Sequence, residues 1–262
     1  MNHPRKDSTN GSQRLTPGKL AVAASCSLAV ALSLSACENV ATYTQPSLVR
    51  VIDASYIAPA INILVEGTML AGNIGEGYIS AYGTLPASPS AIIKVTAATG
   101  GATLVSSNAT LKAGAQHSVF VTDNGAAPTS YTVTVLEDQQ VAAAAQHSAF
   151  RFINEAPRVG AVDIYMVPTA STTTVGGGTP PTISLANSIP LYTNLAVGST
   201  AGYISFTSAT VTMVIVPTGL TKPQYASTAI ALVGGEVRTV MIIDAQLTSN
   251  PPVSAIIADD VN

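Results

Sequence analysis

Val49-Arg50-Val51-Ile52-Asp53 and Phe150-Arg151-Phe152-Ile153-Asn154 lie 101 residues apart and read alike along their length. The same offset, without a gap, sets Ala60-Ile61-Asn62-Ile63 against Ala161-Val162-Asp163-Ile164. Farther on, Asn73 and Gly77-Tyr78-Ile79-Ser80 match Asn194 and Gly202-Tyr203-Ile204-Ser205. Leu111-Lys112-Ala113-Gly114, with Val119, Val121 and Asp123, matches Leu232-Val233-Gly234-Gly235, with Val240, Ile242 and Asp244, at an offset of 121. Collinear matches with few gaps mark two copies of one unit, residues 47–138 and 148–262. Units of about 100 residues are domain-sized and larger than solenoid repeats.

Each unit reads as short strands. In the first they are Leu48–Ala54, Ala60–Val65, Gly77–Tyr82, Ala91–Ala97, Thr103–Leu111, Gln116–Thr122 and Tyr131–Leu136. These runs are rich in Val, Ile, Thr and Tyr, and Gly, Pro, Asn or Ser bound them. In the second unit the clearest are Thr210–Val216, Tyr225–Leu232, Val237–Ile243 and Val253–Ala258. No window beyond residue 36 has helical periodicity. The expected fold is all-β: two tandem immunoglobulin-like antiparallel β-sandwich domains, with a small barrel as the alternative. Cys…Trp…Cys spacing is absent, so membership of the immunoglobulin family itself is not implied. Residues 139–147 form an Ala-rich linker or a helical turn or two. The second unit carries a Pro/Thr/Gly-rich insertion at 168–190, expected as a surface loop because it has little with which to build a core. Gly100-Gly101 and Gly234-Gly235 lie between strands and read as hairpin turns rather than phosphate loops.

The first 36 residues stand apart from this pattern. Arg5, Lys6, Arg14 and Lys19 precede an apolar run from Leu20 to Leu34, and Leu34-Ser35-Ala36-Cys37 closes it. A basic segment, a short apolar run and small residues describe a secretory signal peptide. The run is shorter than the roughly 20 residues a membrane-spanning helix needs. Leu34-Ser35-Ala36-Cys37 resembles the bacterial lipobox, which implies cleavage between Ala36 and Cys37 and a lipid on the Cys37 thiol. An ordinary signal peptide with an incidental cysteine is the competing reading. Glu38, by resemblance to the sorting pattern of Gram-negative lipoproteins, points to the outer membrane. Residues 37–46 would be the lipidated cysteine and a tether of about 30 Å at most. The other cysteine, Cys26, lies in the leader, so the mature chain has no disulfide to form.

Composition narrows the function. Charged residues make up 10% of the 262, against about 25% in an average soluble domain. Hydrophobics reach 47% with only 5% aromatics and no Trp, a composition too rich in β-branched residues for disorder. Removing residues 1–36 takes four of the 11 basic residues and one of the 14 acidic ones. That leaves 7 against 13, a net charge of -6. Such a chain has no basic field for nucleic acid. Its partners are expected to be the membrane, through the lipid, and an envelope protein or polysaccharide.

Val-Arg-Val-Ile-Asp-Ala-Ser at 49–55, Pro59-Ala60-Ile61-Asn62-Ile63, Gly-Tyr-Ile-Ser and the Leu-Lys-Ala-Gly before a Val-rich strand together resemble the secreted domain of unknown function 4397. The first copy keeps Asp53, Ala54, Ser55, Ala58, Pro59, Ala60 and Asn62; the second departs with Asn154, Glu155 and Gly160 but retains Asp163. The resemblance implies an extracytoplasmic β-rich domain and no particular activity.

Candidate chemistry is sparse. His117 sits in a predicted strand, aligns with Arg238 and is expected to be half-exposed; His147 lies in the linker. Neither has a Cys or His at ligand spacing for zinc. No Gly-x-Ser-x-Gly elbow is present. The candidate cation ligands are two carboxylate pairs that end the repeats, Glu137-Asp138 and Asp259-Asp260, since hard cations use clustered carboxylates. Solvation of strand ends is the favoured reading of both. Asp53, Asn62 and Asp163 are expected to hold turns by side-chain to backbone hydrogen bonds. Tyr78, Tyr82, Tyr203 and Tyr225 are the aromatic faces available to a sugar, with Tyr78 and Tyr203 taken as equivalent. No catalytic residue, metal or cofactor is assigned. The expected function is a membrane-anchored, non-catalytic structural or binding module; an envelope hydrolase with an unrecognised site is the alternative.

Overall fold

Alternation in β1 (Ser47–Asp53) sends Val49 and Val51 to one side and Arg50 and Ile52 to the other, and both sides are buried. A strand covered on both faces belongs inside a stack of sheets. The computed structural model describes residues 44–124, 130–169, 172–173, 182–183, 185, 188–245 and 252–261. The leader, Ala36 and Cys37 lie outside these residues, as does most of the insertion.

The first repeat continues with β2 (Ile61–Val65), β3 (Thr68–Ile74), β4 (Gly83–Leu85), β5 (Ser88–Ala97), β6 (Thr103–Leu111), β7 (Gln116–Asp123) and β8 (Tyr131–Glu137). Its two sheets run β4-β1-β7-β8 and β3-β2-β5-β6. The second repeat holds β9 (His147–Glu155), β10 (Val162–Pro168), β11 (Thr172–Thr173), β12 (Thr182–Ile183), β13 (Tyr192–Leu195) and β14 (Ser199–Thr207). It ends with β15 (Ala209–Pro217), β16 (Tyr225–Ala226), β17 (Ile230–Leu232), β18 (Val237–Asp244) and β19 (Val253–Asp259). Its sheets run β14-β9-β18-β19 and β13-β10-β15, with β16 and β17 both on β15. The described residues contain no α-helix. Among the described residues all pairings are antiparallel except β1 with β7 and β9 with β18, where the opening strand of each repeat lies parallel to a late one.

Three cores account for the stack. Val49, Val51, Ile61, Ile63, Ile93, Val95, Val119 and Val121 fill the first sandwich. Phe150, Phe152, Ile164, Met213, Ile215, Val240 and Ile242 fill the second, where Phe150 packs edge-on to Phe206 and Phe152 to Tyr192. The third core lies between the repeats: Ile52, Ala54 and Phe120 meet Ile153, Met241, Ile243 and Ala258. The β1/β7 and β9/β18 sheets therefore pack on each other, and the two sandwiches form four layers. Fully burying a side chain of this size contributes about 1.5–3 kcal/mol, so the third core alone binds the repeats strongly.

Several expectations need correction. The stretch 77–82 is not a named strand; it lies along β1 through a single bridge, Ile52 to Ile79, flanked by the bonds Gly77 N–H to Asp53 O (2.8 Å), Asp53 N–H to Tyr78 O (3.0 Å) and Ser80 N–H to Val51 O (3.0 Å). A strand unread in the sequence, β3, follows β2 through Glu66 and Gly67, both at positive φ (50° and 77°), the requirement of a tight type I′ turn. Tyr225–Leu232 breaks in two at Ser227, whose Oγ accepts the Met213 N–H at 2.9 Å. Gly100-Gly101 is the β5–β6 hairpin, but Gly234-Gly235 carries the chain from one sheet to the other, as Ala113-Gly114 does in the first repeat. The linker makes turns and no helix. From the insertion, Ile183 and Leu185 pack on Val167, Val214, Val216 and Tyr165, covering the outer face of the β10/β15 sheet.

Candidate functional site

Arg50 and Arg151 occupy the same place in β1 and β9, one hundred and one residues apart, and both point into the interface between the repeats. Each guanidinium crosses to the other repeat. Arg50 donates through Nε to Ser118 Oγ of its own repeat (2.7 Å) and through its other nitrogens to the Asp259 carbonyl and the Asp260 carboxylate. Arg151 donates through Nε to Thr239 Oγ1 (2.8 Å), to the Glu137 carbonyl (2.8 Å) and to the Asp138 carboxylate. A tyrosine lies under each cation: Tyr82 at 4.9 Å from Arg50 and Tyr203 at 5.0 Å from Arg151. The phenols close the ring. Tyr82 donates to Asp138 (2.8 Å) and Tyr203 to Asp260 (2.7 Å), while Ser118 and Thr239 donate to the same two carboxylates at 2.7 Å. The result is a twofold-related network in which each arginine is completed by the other repeat's last aspartate.

The four charged groups are almost fully buried, Arg50 2% exposed and Asp260 0%, while Tyr82 and Tyr203 are half-buried at the rim. Burial pushes the Asp260 carboxyl up against the pull of Arg50, and pushes the Tyr82 and Tyr203 phenols well above their usual range. Charge-assisted bonds and stacked guanidinium planes are what make so dense a buried cluster tolerable.

The four candidate acids thus divide. Glu137 and Asp259 are exposed and pair with Lys112 and Arg238 at the surface, where such pairs contribute about 0–1 kcal/mol. Asp138 and Asp260 do not solvate strand ends; the cations they hold are guanidinium groups. Among the described residues no cluster of three or more His, Cys, Asp or Glu has metal-binding geometry. Tyr203 corresponds to Tyr82, not Tyr78. The Gly-Tyr-Ile-Ser match was four residues out of register, since the ladder sets Gly83 and Ile204 against the equivalent Val49 and Phe150. Tyr78 is exposed, and Tyr225 packs against the second core.

His117 is buried rather than half-exposed. Its Nδ1 meets Ser47 Oγ at 3.0 Å, its Nε2 accepts the Lys112 N–H, and burial lowers its pKa. His147 meets the Ala145 carbonyl through Nδ1.

The Asx residues hold turns as expected. Asn62 and Asp163 accept the N–H of Asn73 (2.9 Å) and Asn194 (2.8 Å), both left-handed. Asp53 and Asn154 accept the N–H two residues on, from Ser55 (3.0 Å) and Ala156 (3.1 Å). Asp123 accepts from Ser55 Oγ and from the Tyr56 N–H. Its counterpart Asp244 faces Ala156 and Pro157, which supply neither donor. It pairs with Arg158 instead and leaves Oδ1 unpartnered.

Concavities open elsewhere among the described residues. A groove of 380 Å³ opens between β6 and β8, lined by Ser107, Asn108, Thr110, Val133 and Val135 and ended by His117 and the Lys112–Glu137 pair. A smaller one of 250 Å³ lies beside the insertion, against Tyr165, Leu185, Val216 and Leu220.

The family model described as Domain of unknown function (DUF4397) matches residues 47–165, the first repeat and the opening strands of the second. Among solved structures the chain is similar to CBMbc, a family 26 carbohydrate-binding module from Eubacterium rectale Amy13K in complex with maltoheptaose. The identity is 13%, with 80% of this chain and 96% of that one covered and a TM-score of 0.24. It is also similar to a structure titled for alpha-glucan recognition by family 41 carbohydrate-binding modules from streptococcal virulence factors. There the identity is 10%, the coverage 79% and 96%, and the TM-score 0.23. No curated protein matches the chain.

Proposed function

We propose that the protein is a lipid-anchored, non-catalytic binding or structural module of the bacterial cell envelope, held at Cys37 in the outer membrane. The observation that carries the non-catalytic part is the fate of the buried ionisable groups between the repeats. Arg50, Arg151, Asp138, Asp260, Tyr82 and Tyr203 are spent on one another, joining two sandwiches into a single scaffold. Catalysis needs titratable groups free to act in a cleft; these face a seam, and of those in the β6/β8 groove Lys112 and Glu137 pair with each other while His117 is held by Ser47 and the Lys112 N–H. Polar groups line the β6/β8 groove, where Ser107 and Asn108 present a hydroxyl and an amide to an extended polymer or peptide, beside Thr110, whose hydroxyl donates to the Pro89 carbonyl. The leader and Leu34-Ser35-Ala36-Cys37 support the anchor.

Two measurements test this reading. In cells fed labelled palmitate, the full chain should take up label and fractionate with membranes, and Cys37→Ser should do neither. Membrane retention by a processed Cys37→Ser protein defeats the anchor. For binding, residues 38–262 immobilised over envelope extract should retain a polysaccharide or protein that Asn108→Arg releases. Equal retention by both chains removes the groove from the proposal.

A further inference from the structure

Asp53 and Asn154 occupy one position in the two repeats, and their surroundings superpose contact by contact. Each accepts, on the side-chain oxygen, the N–H two residues ahead (3.0 and 3.1 Å). Each accepts, on the main-chain carbonyl, a glycine N–H from a later turn: Gly77, after β3, at 2.8 Å in the first repeat and Gly198, after β13, at 2.7 Å in the second. Both residues are 0% exposed. The second branch of the side chain differs in outcome. Asn154 Nδ2 donates to two main-chain carbonyls, Gly160 at 2.9 Å and Leu195 at 2.8 Å. Asp53 Oδ2, in the corresponding place, has no partner. The repeat offsets set Pro59 opposite Gly160 and Ile74 opposite Leu195. An ionised Oδ2 would therefore face two carbonyl oxygens in a dry site, where an unpaired charge is very costly. A proton on Oδ2 turns the clash into a hydrogen bond.

We infer that Asp53 is held as the neutral carboxylic acid, its one Oδ2 proton donated between the main-chain carbonyls of Pro59 and Ile74, and that its ionisation is a pH-responsive latch which the first repeat has and the second lacks. The charges around it agree. Asp123 on the neighbouring β7 and Glu76 in the turn after β3 both act on Asp53, and both are acidic; Tyr131 on β8 faces the same acids. In the second repeat the corresponding residues are Asp244 and Val197, so one carboxylate remains where the first repeat gathers three. Burial first, then these like charges, push the Asp53 carboxyl up to about 7, against the Ser55 N–H that pulls it down. Calcium would answer the same charge, but it takes about 6–8 oxygen ligands, and both Asp123 oxygens are already held by Ser55 and Tyr56.

The direction of the effect follows from linkage. Because the folded acid holds its proton to higher pH than the unfolded one, its contribution is complete below about pH 4 and is lost as pH rises through about 7. Asp53→Asn copies the second repeat and removes the titration. Melting temperatures of the mature chain and of Asp53→Asn, measured from about pH 5 to about pH 8, should separate as pH rises, the variant ending several degrees higher. On the unaltered protein, the carboxyl carbon signal missing from the variant's spectrum should titrate near neutral pH. Parallel melting curves, or a signal titrating near pH 4, overturn the inference. Stabilisation of the native chain at about pH 8 by added calcium, absent in Asp53→Asn, overturns it too, by showing that a cation rather than a proton fills the site.

Discussion

Arg50 shows what a buried charge between repeats demands. Its head is desolvated, and its bonds to Ser118, Asp259 and Asp260 return what water would have supplied. Truncating it leaves Asp260 a buried anion held only by the Tyr203 and Thr239 hydroxyls, and breaking a buried pair in this way costs about 3–5 kcal/mol. Arg50→Met should therefore lower the urea midpoint sharply. Adding Asp260→Leu should recover part of that loss, because the second substitution removes the orphan the first created. Additive losses in the double variant would show that the pair does not act as a unit. This site was partly legible in the sequence. The two arginines aligned, and the two aspartates stood out as repeat-ending acids. The parity of Val49-Arg50-Val51-Ile52 carries a further signal: apolar residues on both faces mean burial on both faces, and an arginine there must meet an acid. The acid it meets is some two hundred residues away and in the other repeat, a pairing no local pattern encodes. Tyr82 is the counterpart of Tyr203 at the constant offset of 121, which the four-letter Gly-Tyr-Ile-Ser match obscures.

Among elements, the connections decide more than the strands do. Strand positions followed from β-branched runs bounded by turn formers, since side-chain pattern and burial coincide there. Connections depend on backbone angles, so Glu66-Gly67 escaped notice: a glutamate at positive φ is not a residue one reads as a turn. Gly234 is a second such case. A Cβ there would sit 2.5 Å from the Gln146 backbone nitrogen and 3.0 Å from its Cα, so the linker rests directly on this glycine as β17 leads into β18. Gly234→Ala must push main chain, not a flexible side chain. It should cost about 1–3 kcal/mol, the usual range for overpacking. Gly67→Ala, with open space around its Cβ but φ at 77°, should cost only the left-handed penalty of about 1–2 kcal/mol. Urea unfolding of both variants checks the order; a Gly234→Ala protein as stable as the parent would mean the linker can lift away without loss.

At the scale of the whole molecule, the seam makes two repeats behave as one. Each repeat offers the same patch to the other, arginine to aspartate and aspartate to arginine, the self-complementary logic of a twofold dimer realised within one chain. Sequence alone could count the repeats but not see that their inner sheets face each other. That arrangement depends on the third core, whose members Ile52, Phe120, Ile153 and Met241 read as ordinary strand residues. Thermodynamically, neither sandwich can unfold without stripping the other of a paired charge and an apolar face. Heating the mature chain should give one transition, with calorimetric and van't Hoff enthalpies equal. Native-state hydrogen exchange should find the slowest amides in β1, β7, β9 and β18 together, all opening at the global free energy. Arg50→Met removes half of the polar lock while leaving each sandwich's own core intact, so it should separate the transition into two. Two transitions in the unaltered protein, or slow amides confined to one repeat, would show that the sandwiches are independent domains in contact rather than one cooperative body.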